Sequence, residues 1–274
     1  MSMYPQPGPP PNQRLADLEL RLASAEQLIY RMRRDTFAYR AEAMVRRAGR
    51  APSLPVIFQA QFGEDTALWE IFGGKLDGFF IEVGAYDGEK FSVSFAYEAV
   101  GWKGVLIEAI PAAYEKCRAL RKNSRVVHAA LSKPGHPPTA KFTVSTQIEM
   151  LSYLHGDAHH VADIRRRQLP TATVEVPVMT MDEVLKEHTG PIDFVSIDVE
   201  GDEVNLLEGF ELERFKPRVL MIEDSAMKPD SAVLRYMAAK PYDLIGGVGV
   251  NRLYVRRGDE DIYARLKRME MFLE

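Results

Sequence analysis

The chain of 274 residues has one cysteine, Cys117. That excludes an intramolecular disulfide and any cysteine cage for zinc or an iron–sulfur cluster. No run of 18 apolar residues occurs, so the sequence offers no membrane-spanning helix. An excess of positive charge is missing too, with 35 Lys and Arg against 39 Asp and Glu and a net charge of −4. A nucleic-acid partner needs a basic footprint, and none is expected here. The first 14 residues are proline-rich and lack the apolar core of a secretory signal, so a cytoplasmic protein is expected.

What charge there is lies unevenly. Residues 1–50 carry nine Arg and five acids, leaving 26 basic against 34 acidic residues for the rest. The first piece therefore reads as a separate unit. Residues 1–11 hold five prolines and are expected to be disordered. From Leu15, alternate steps of three and four land on Leu18, Leu22, Ala25, Ile29, Met32, Thr36, Tyr39 and Ala43. A 3.5-residue repeat over about four heptads predicts a coiled-coil seam. Asn12 is the expected N-cap and Gly49 the expected stop. With Leu15 at position a, Arg14, Arg21 and Asp35 at g oppose Glu19, Glu26 and Arg40 at e of a parallel copy. The spacing predicts a homo-oligomer, dimer or trimer, through residues 12–47. The alternative is an amphipathic helix packed on its own domain. Residues 12–50 are thus the expected oligomerisation unit, 51–57 a linker, and 58–274 the main domain.

Within that domain short apolar runs alternate with helical stretches. The runs are Phe79–Val83, Gly104–Ile107, Val126–Ala129, Ile192–Ile197, Val219–Ile222, Tyr242–Ile245 and Leu253–Val255. Helical stretches at Ser92–Val100, Pro111–Arg121, Met181–Glu187 and Glu203–Gly209 separate the earlier ones. Such alternation predicts an α/β fold with a parallel sheet. Only the short stretch from Gly246 to Arg252, seven residues, separates the last two runs, too few for a crossover helix, so the final strand should turn back antiparallel. A seven-stranded, mostly parallel Rossmann-like sheet with an antiparallel last strand is expected. The Gly246-Gly-Val-Gly249 run reads as its hairpin turn rather than a phosphate loop.

The most informative segment is Phe79-Phe-Ile-Glu82-Val-Gly84-Ala85-Tyr86-Asp87-Gly88, an apolar strand entering a loop with two glycines. Glycines let backbone approach a ligand closely, and an acid at the strand end receives hydrogen bonds or a cation. The G-x-G-x-x-G spacing of dinucleotide sites is absent, as is the Gly-Lys-Ser/Thr of a P-loop. Acids at the loop suit a cationic amine better than a pyrophosphate. The following strand ends in Glu108, 26 residues beyond Glu82, where an acid accepts hydrogen bonds from ribose hydroxyls.

These residues resemble the FkbM family of S-adenosylmethionine (SAM) dependent methyltransferases. The likeness runs from Gln61-Phe-Gly63-Glu64-Asp65 through the Gly84 loop, Gly101-Trp102 to Glu108, and His128-Ala-Ala130-Leu-Ser132. It continues in Ile192-Asp-Phe-Val-Ser-Ile-Asp198-Val-Glu200-Gly201-Asp-Glu203, the Ile222-Glu223 strand end and Asn251-Arg-Leu-Tyr-Val255. It spans roughly residues 58–256. Where the family loop commonly has Asn before its second glycine, this chain has Tyr86-Asp87. The resemblance implies a class-I fold, SAM as cofactor, and acceptor hydroxyls on glycans, lipopolysaccharide sugars or secondary metabolites. It implies that Glu82, Gly84, Ala85 and Gly88 hold the methionine part and Glu108 the ribose, and Tyr86 and Asp87 in the same loop are expected at the cofactor as well. Ala109 and Ile110 would border the adenine, with Ala130 and Ser132 on its other side. Gln61, Gly63, Glu64 and Asp65 would fold over the cofactor, and Asp198 would meet the acceptor.

Asp198 and Glu200, with Glu223-Asp224 on the next strand, leave three roles open: a general base, a site for a divalent cation, or a cap on the helix from Asp202. His155-Gly-Asp157-Ala-His159-His160 leaves three more: a solvated loop, a catalytic His155 at the substrate, or a metal site. A metal is therefore possible but not predicted. Arg165-Arg-Arg167 would suit an anionic acceptor or a solvated helix face. Two other functions stay open, a non-catalytic scaffold acting through the coiled coil and an N-methyltransferase.

Overall fold

The computed structural model describes residues 11–145, 171–225 and 227–270. The Pro-rich stretch 1–10 and the 148–170 insertion, with His155, Asp157, His159, His160 and Arg165–Arg167, lie outside the described residues. The chain opens with α1 (Pro11–Arg47) and α2 (Glu64–Ile71). Then come β1 (Phe79–Val83), α3 (Phe95–Val100), β2 (Lys103–Glu108), α4 (Pro111–Leu120) and β3 (Arg125–His128). Next are β4 (Ala130–Leu131), β5 (Thr139–Ser145), β6 (Thr171–Met179), α5 (Met181–Val184) and β7 (Phe194–Ile197). After α6 (Glu203–Glu208) and α7 (Leu212–Phe215) follow β8 (Val219–Glu223), α8 (Ala232–Met237), β9 (Tyr242–Val248), β10 (Asn251–Arg256) and α9 (Glu260–Glu270).

Seven strands form one sheet in the order β3-β2-β1-β7-β8-β10-β9. β1, β2, β3, β7 and β8 are mutually parallel, and β10 runs antiparallel to β8 and β9. This is the expected seven-stranded, mostly parallel sheet with an antiparallel last strand, its order reversing between β1 and β7. The central strands are buried on both faces because helices cover both sides, so they read as continuous apolar runs. Gly246 and Gly247 lie within β9 rather than in its turn, which falls at Gly249 and Val250.

A second, three-stranded sheet in the order β4-β6-β5 was not anticipated. The expected third strand is cut short at Ala129, where the chain leaves the large sheet and Ala130 pairs with Val178 of β6. β5 and β6 pair antiparallel over seven residues and bring Phe142 beside the strand ends.

The first helix revises the expected domain boundaries. It already includes Asn12, so that residue is not the cap, and it ends before a turn at Gly49 (φ +72°). Its last turns are core: Phe37, Ala41 and Val45 are buried with Phe58, Trp69, Tyr97 and Trp102. Phe37 meets Phe58 edge-on at 6.2 Å between ring centroids. The expected linker 51–57 is pinned as well, through Ser53 N–H to the Ala99 carbonyl at 3.0 Å and Ser53 Oγ to the Glu98 carbonyl. Only the earlier part of α1 projects. There Leu15, Leu18, Leu22, Ile29 and Met32 are all more than half exposed.

Candidate active site

The site forms where the carboxyl ends of β1, β2, β7 and β8 meet, on either side of the reversal in strand order, where open α/β sheets bind ligands. β1 must turn there without obstructing β7. A Cβ on Gly84 would lie 2.0 Å from the Asp198 carbonyl oxygen, and Gly84 has φ +83°, so no other residue fits. Gly88 is small for a different reason: its Cβ would strike Cys117 Sγ at 2.8 Å, so it admits α4 rather than a ligand.

Two lobes open from this point. The first encloses about 730 Å³, part of it open to solvent, between Ile107, Ala109, Ile110, Ala130, Leu131 and Phe142. These walls are apolar, and the lobe's polar lining is Glu108 with Asp198, Glu200 and Asp202. The Glu108 carboxylate accepts the Tyr86 N–H at 2.7 Å on one oxygen and the Ile110 N–H at 2.7 Å on the other. Burial pushes its pKa up to about 7, against the pull of those backbone donors.

The second lobe is wider and rich in acids. Gln61, Phe62 and Glu64 form one wall, Lys90 to Val93 another, and Asp198, Glu200, Glu223 and Asn251 the floor and far side. Glu82 lines it yet is fully engaged, accepting from Ser92 Oγ, Val93 N–H, Ser94 N–H and Ser94 Oγ. Its role is to hold the 88–94 loop. Behind that loop the buried Arg121 guanidinium binds Glu98 at 2.9 Å and the Gly88 and Ser94 carbonyls. Glu64 ties the lip to the sheet, accepting the Phe62 N–H at 2.7 Å and the Asn251 side-chain amide at 3.0 Å.

Asp198 and Glu223 sit side by side because β7 and β8 pair in parallel, with Ile197 opposite Ile222. Water reaches the Asp198 side chain in the cleft, but protein surrounds it. Burial raises its pKa well above the carboxylate range, with Glu223, Glu200 and Glu203 adding to the rise. Glu223 accepts from Ser225 Oγ on one oxygen, while its buried Oε2 has no hydrogen-bond donor among the described residues. Only a protonated neighbour such as Asp198 would supply a donor there.

The expected site residues therefore divide. Gly84, Tyr86, Asp198 and Glu200 line both lobes, Glu108, Ala109, Ile110 and Ala130 the first, and Gln61, Glu64, Glu82 and Ala85 the second. Gly63, Asp65, Asp87, Gly88 and Ser132 line neither. Asp65 is buried, accepting the Ala60 and Thr66 N–H groups, with its pKa pushed up to about 7. Asp87 accepts from the Glu89 and Lys90 N–H groups in a local turn. Ser132 is buried beside β6, with its N–H on the Met179 carbonyl. Glu200 does not cap α6. It has φ +58° and faces the cleft, and Glu203 instead accepts the Gly201 N–H at 3.0 Å. Asp224 turns away from Glu223 to pair with Arg252, so the second acid pair is split. Among the described residues no three His, Cys, Asp or Glu side chains converge as a metal site. His155 lies outside the described residues.

Sequence reasoning left out Phe142, which carried no motif, and Phe62, Phe91 and Asn251. Phe62 stood in the matched Gln61-to-Asp65 block and Asn251 in the matched Asn-Arg-Leu-Tyr block, the usable signals among them.

Residues 82–244 match the family model of the methyltransferase FkbM domain. Among solved structures the chain is similar to the METTL16 MTase domain, at 12% identity over 74% of this chain and 68% of that one, with a TM-score of 0.42. It is also similar to a SAM dependent methyltransferase from Aquifex aeolicus, at 14% identity over 71% and 88%, TM-score 0.35. A third is the precorrin-6y C5,15-methyltransferase from Geobacter metallireducens GS-15, at 11% identity over 75% and 91%, TM-score 0.38. No curated protein matches the chain.

Proposed function

The chain belongs to the FkbM family of methyltransferases, and on that premise we propose that it methylates a hydroxyl oxygen of a sugar-containing or secondary-metabolite acceptor. Family membership implies SAM, which supplies a methyl group on a sulfonium that an acceptor oxygen can attack. The two lobes fit that cofactor. The apolar walls of the first suit an adenine, Glu108 suits the ribose hydroxyls, and the acids of the second suit a cationic amine.

The observation that carries the O-methylation reading is the Asp198–Glu223 pair at the junction of the lobes. An attacking hydroxyl must give up its proton as the carbon–oxygen bond forms, and a carboxylate within reach can take it. Burial and the neighbouring Glu223, Glu200 and Glu203 raise the Asp198 pKa, which makes its carboxylate the stronger acceptor for that proton. Glu200 adds negative charge at the same point and favours a neutral acceptor over an anionic one. Most of the remaining barrier is alignment, which the walls of the lobes impose.

The test is Asp198→Asn in the full chain. SAM affinity and melting temperature should stay near wild type, while methyl transfer to sugar or polyketide hydroxyls falls by roughly 100-fold or more. Retained turnover would refute the base. A wild-type protein that binds neither SAM nor its demethylated product would refute the enzyme.

The exposed stripe of α1 supports a second copy of the chain as partner. At about 100° per residue, Met32, Thr36 and Tyr39 lie about 160° around the helix from the docked Tyr30, Phe37, Ala41 and Val45. Both alternatives for this helix hold at once on opposite faces, and a parallel partner could cover one without displacing the other.

A further inference from the structure

No residue of α1 lines either lobe, yet α1 holds the segment that does. Tyr30 donates its hydroxyl to the Ala60 carbonyl at 2.7 Å, and Arg34 Nε donates to the Phe58 carbonyl. The Tyr30 ring lies against Gly63, where a Cβ would come within 2.8 Å of Cε2. The Arg34 guanidinium stacks over that ring at 5.5 Å. Ala60 is the knot of this arrangement. Its N–H binds Asp65 at 2.9 Å, and it forms a parallel bridge with Phe91 on the opposite wall. The next residues, Gln61 and Phe62, and then Glu64, face the cavity. Both walls of the second lobe are thus fixed through one backbone position that α1 grips from outside.

We infer that Tyr30 and Arg34 are positioning residues for the cofactor-binding lip at residues 58–64, which makes α1 part of the catalytic unit as well as an association element. This rests on the proposed binding of SAM. The lip must close over ligand from a defined place, and two carbonyls held by α1 define it. A segment tethered only at its far end, through Glu64 to Asn251, would pay more ordering entropy when ligand arrives.

The experiment uses three single variants of the full chain. Tyr30→Phe removes the hydroxyl and keeps the ring against Gly63. Arg34→Met removes the donor and keeps the stem. Arg33→Gln is the control: it breaks the 2.6 Å ion pair to Glu70 of α2, loosening the docked helix without touching the lip. Titration calorimetry with S-adenosylhomocysteine should show affinity falling roughly two- to tenfold in each of the first two and unchanged in the third. Hydrogen exchange of the 58–64 amides should rise in the first two only. Equal affinity and exchange in all four proteins would overturn the inference, as would a loss in Arg33→Gln as large as in the others. A wild type that fails to bind the probe would instead overturn the cofactor reading beneath it.

Discussion

Replacing Glu108 by Gln changes two oxygens into one oxygen and one amide at a position where both oxygens are used. Glu108 accepts the Tyr86 and Ile110 N–H groups at 2.7 Å each and is 6% exposed. The amide satisfies one donor and turns its own N–H2 toward the other. One buried donor then goes unpaired, at a cost of about 1–3 kcal/mol in unfolding free energy. Ligand loses more than the free protein does, because a ribose hydroxyl gives up a charge-assisted hydrogen bond of about 1.5–3 kcal/mol, roughly a 10- to 100-fold loss of affinity. The pH dependence follows from the same group. Its carboxyl is raised to about 7 by burial, and hydroxyl donors favour its ionised form, so ligand expels a proton. In wild type, affinity for S-adenosylhomocysteine should therefore rise with pH through about 7. In Glu108→Gln the part of that rise owed to Glu108 should vanish. Calorimetry in two buffers of different ionisation enthalpy reads the proton release directly. A Gln variant that binds as wild type, with the same proton release, would show that this acid does not face the ligand.

Three further outcomes follow from burial and charge. Asp65, Glu108 and Glu203 all have carboxyls raised to about 7, chiefly by burial. Their contribution is whole below the unfolded values near pH 4 and is lost as pH rises through 7, so stability should fall by a few kcal/mol between pH 5.5 and 8. His188, lowered by burial, acts with the opposite sign below about 6.5 and only partly offsets this. Urea midpoints that are flat or rise over that range would refute the burial of these acids. Phe37→Ala, in the helix far from the sheet in sequence, should cost about 3–5 kcal/mol by chemical denaturation, and a surface-like cost under 1 kcal/mol would place α1 off the core. Lys at both Leu22 and Ile29, 62% and 65% exposed, should reduce the mass by light scattering to one chain while leaving cofactor affinity intact. An unchanged mass would mean that this stripe is not the seam.

The large sheet was legible because strands buried on both faces betray themselves as unbroken apolar runs, and Phe79–Val83 was placed to the residue. The small sheet was not. β5 and β6 alternate apolar with polar residues (Ala140, Phe142, Val144; Val174, Val176, Val178) instead of running unbroken, and more than twenty residues separate the two, so a reading by continuous apolar runs passes over both. The first helix misled for another reason. A 3.5-residue repeat marks one stripe, and the eye that follows Leu15 to Tyr39 passes over Tyr30, Phe37, Ala41 and Val45 on the far side. A helix with two apolar stripes gives the charge pattern of a free coiled coil and the core of a docked one. Only the packing shows where one role ends.

At the site, residue type and strand position located the carboxylates but not their tasks. Glu82, Glu108 and Asp198 all end strands and look alike in sequence. Their neighbours separate them: Glu82 takes four protein donors, Glu108 takes two backbone donors at the end of an apolar lobe, and Asp198 faces a second acid. A carboxylate with four donors has little left to offer a ligand, whereas one crowded by other acids, with its pKa raised, takes up a proton more readily. Of the Glu223-Asp224 pair, Asp224 is bound to Arg252 and only Glu223 lines the cleft, with a buried Oε2 that accepts no hydrogen bond among the described residues. The acids of this cleft are therefore brought together by two neighbouring strand ends, Asp198 just after β7 and Glu223 at the end of β8, rather than by any motif along one of them.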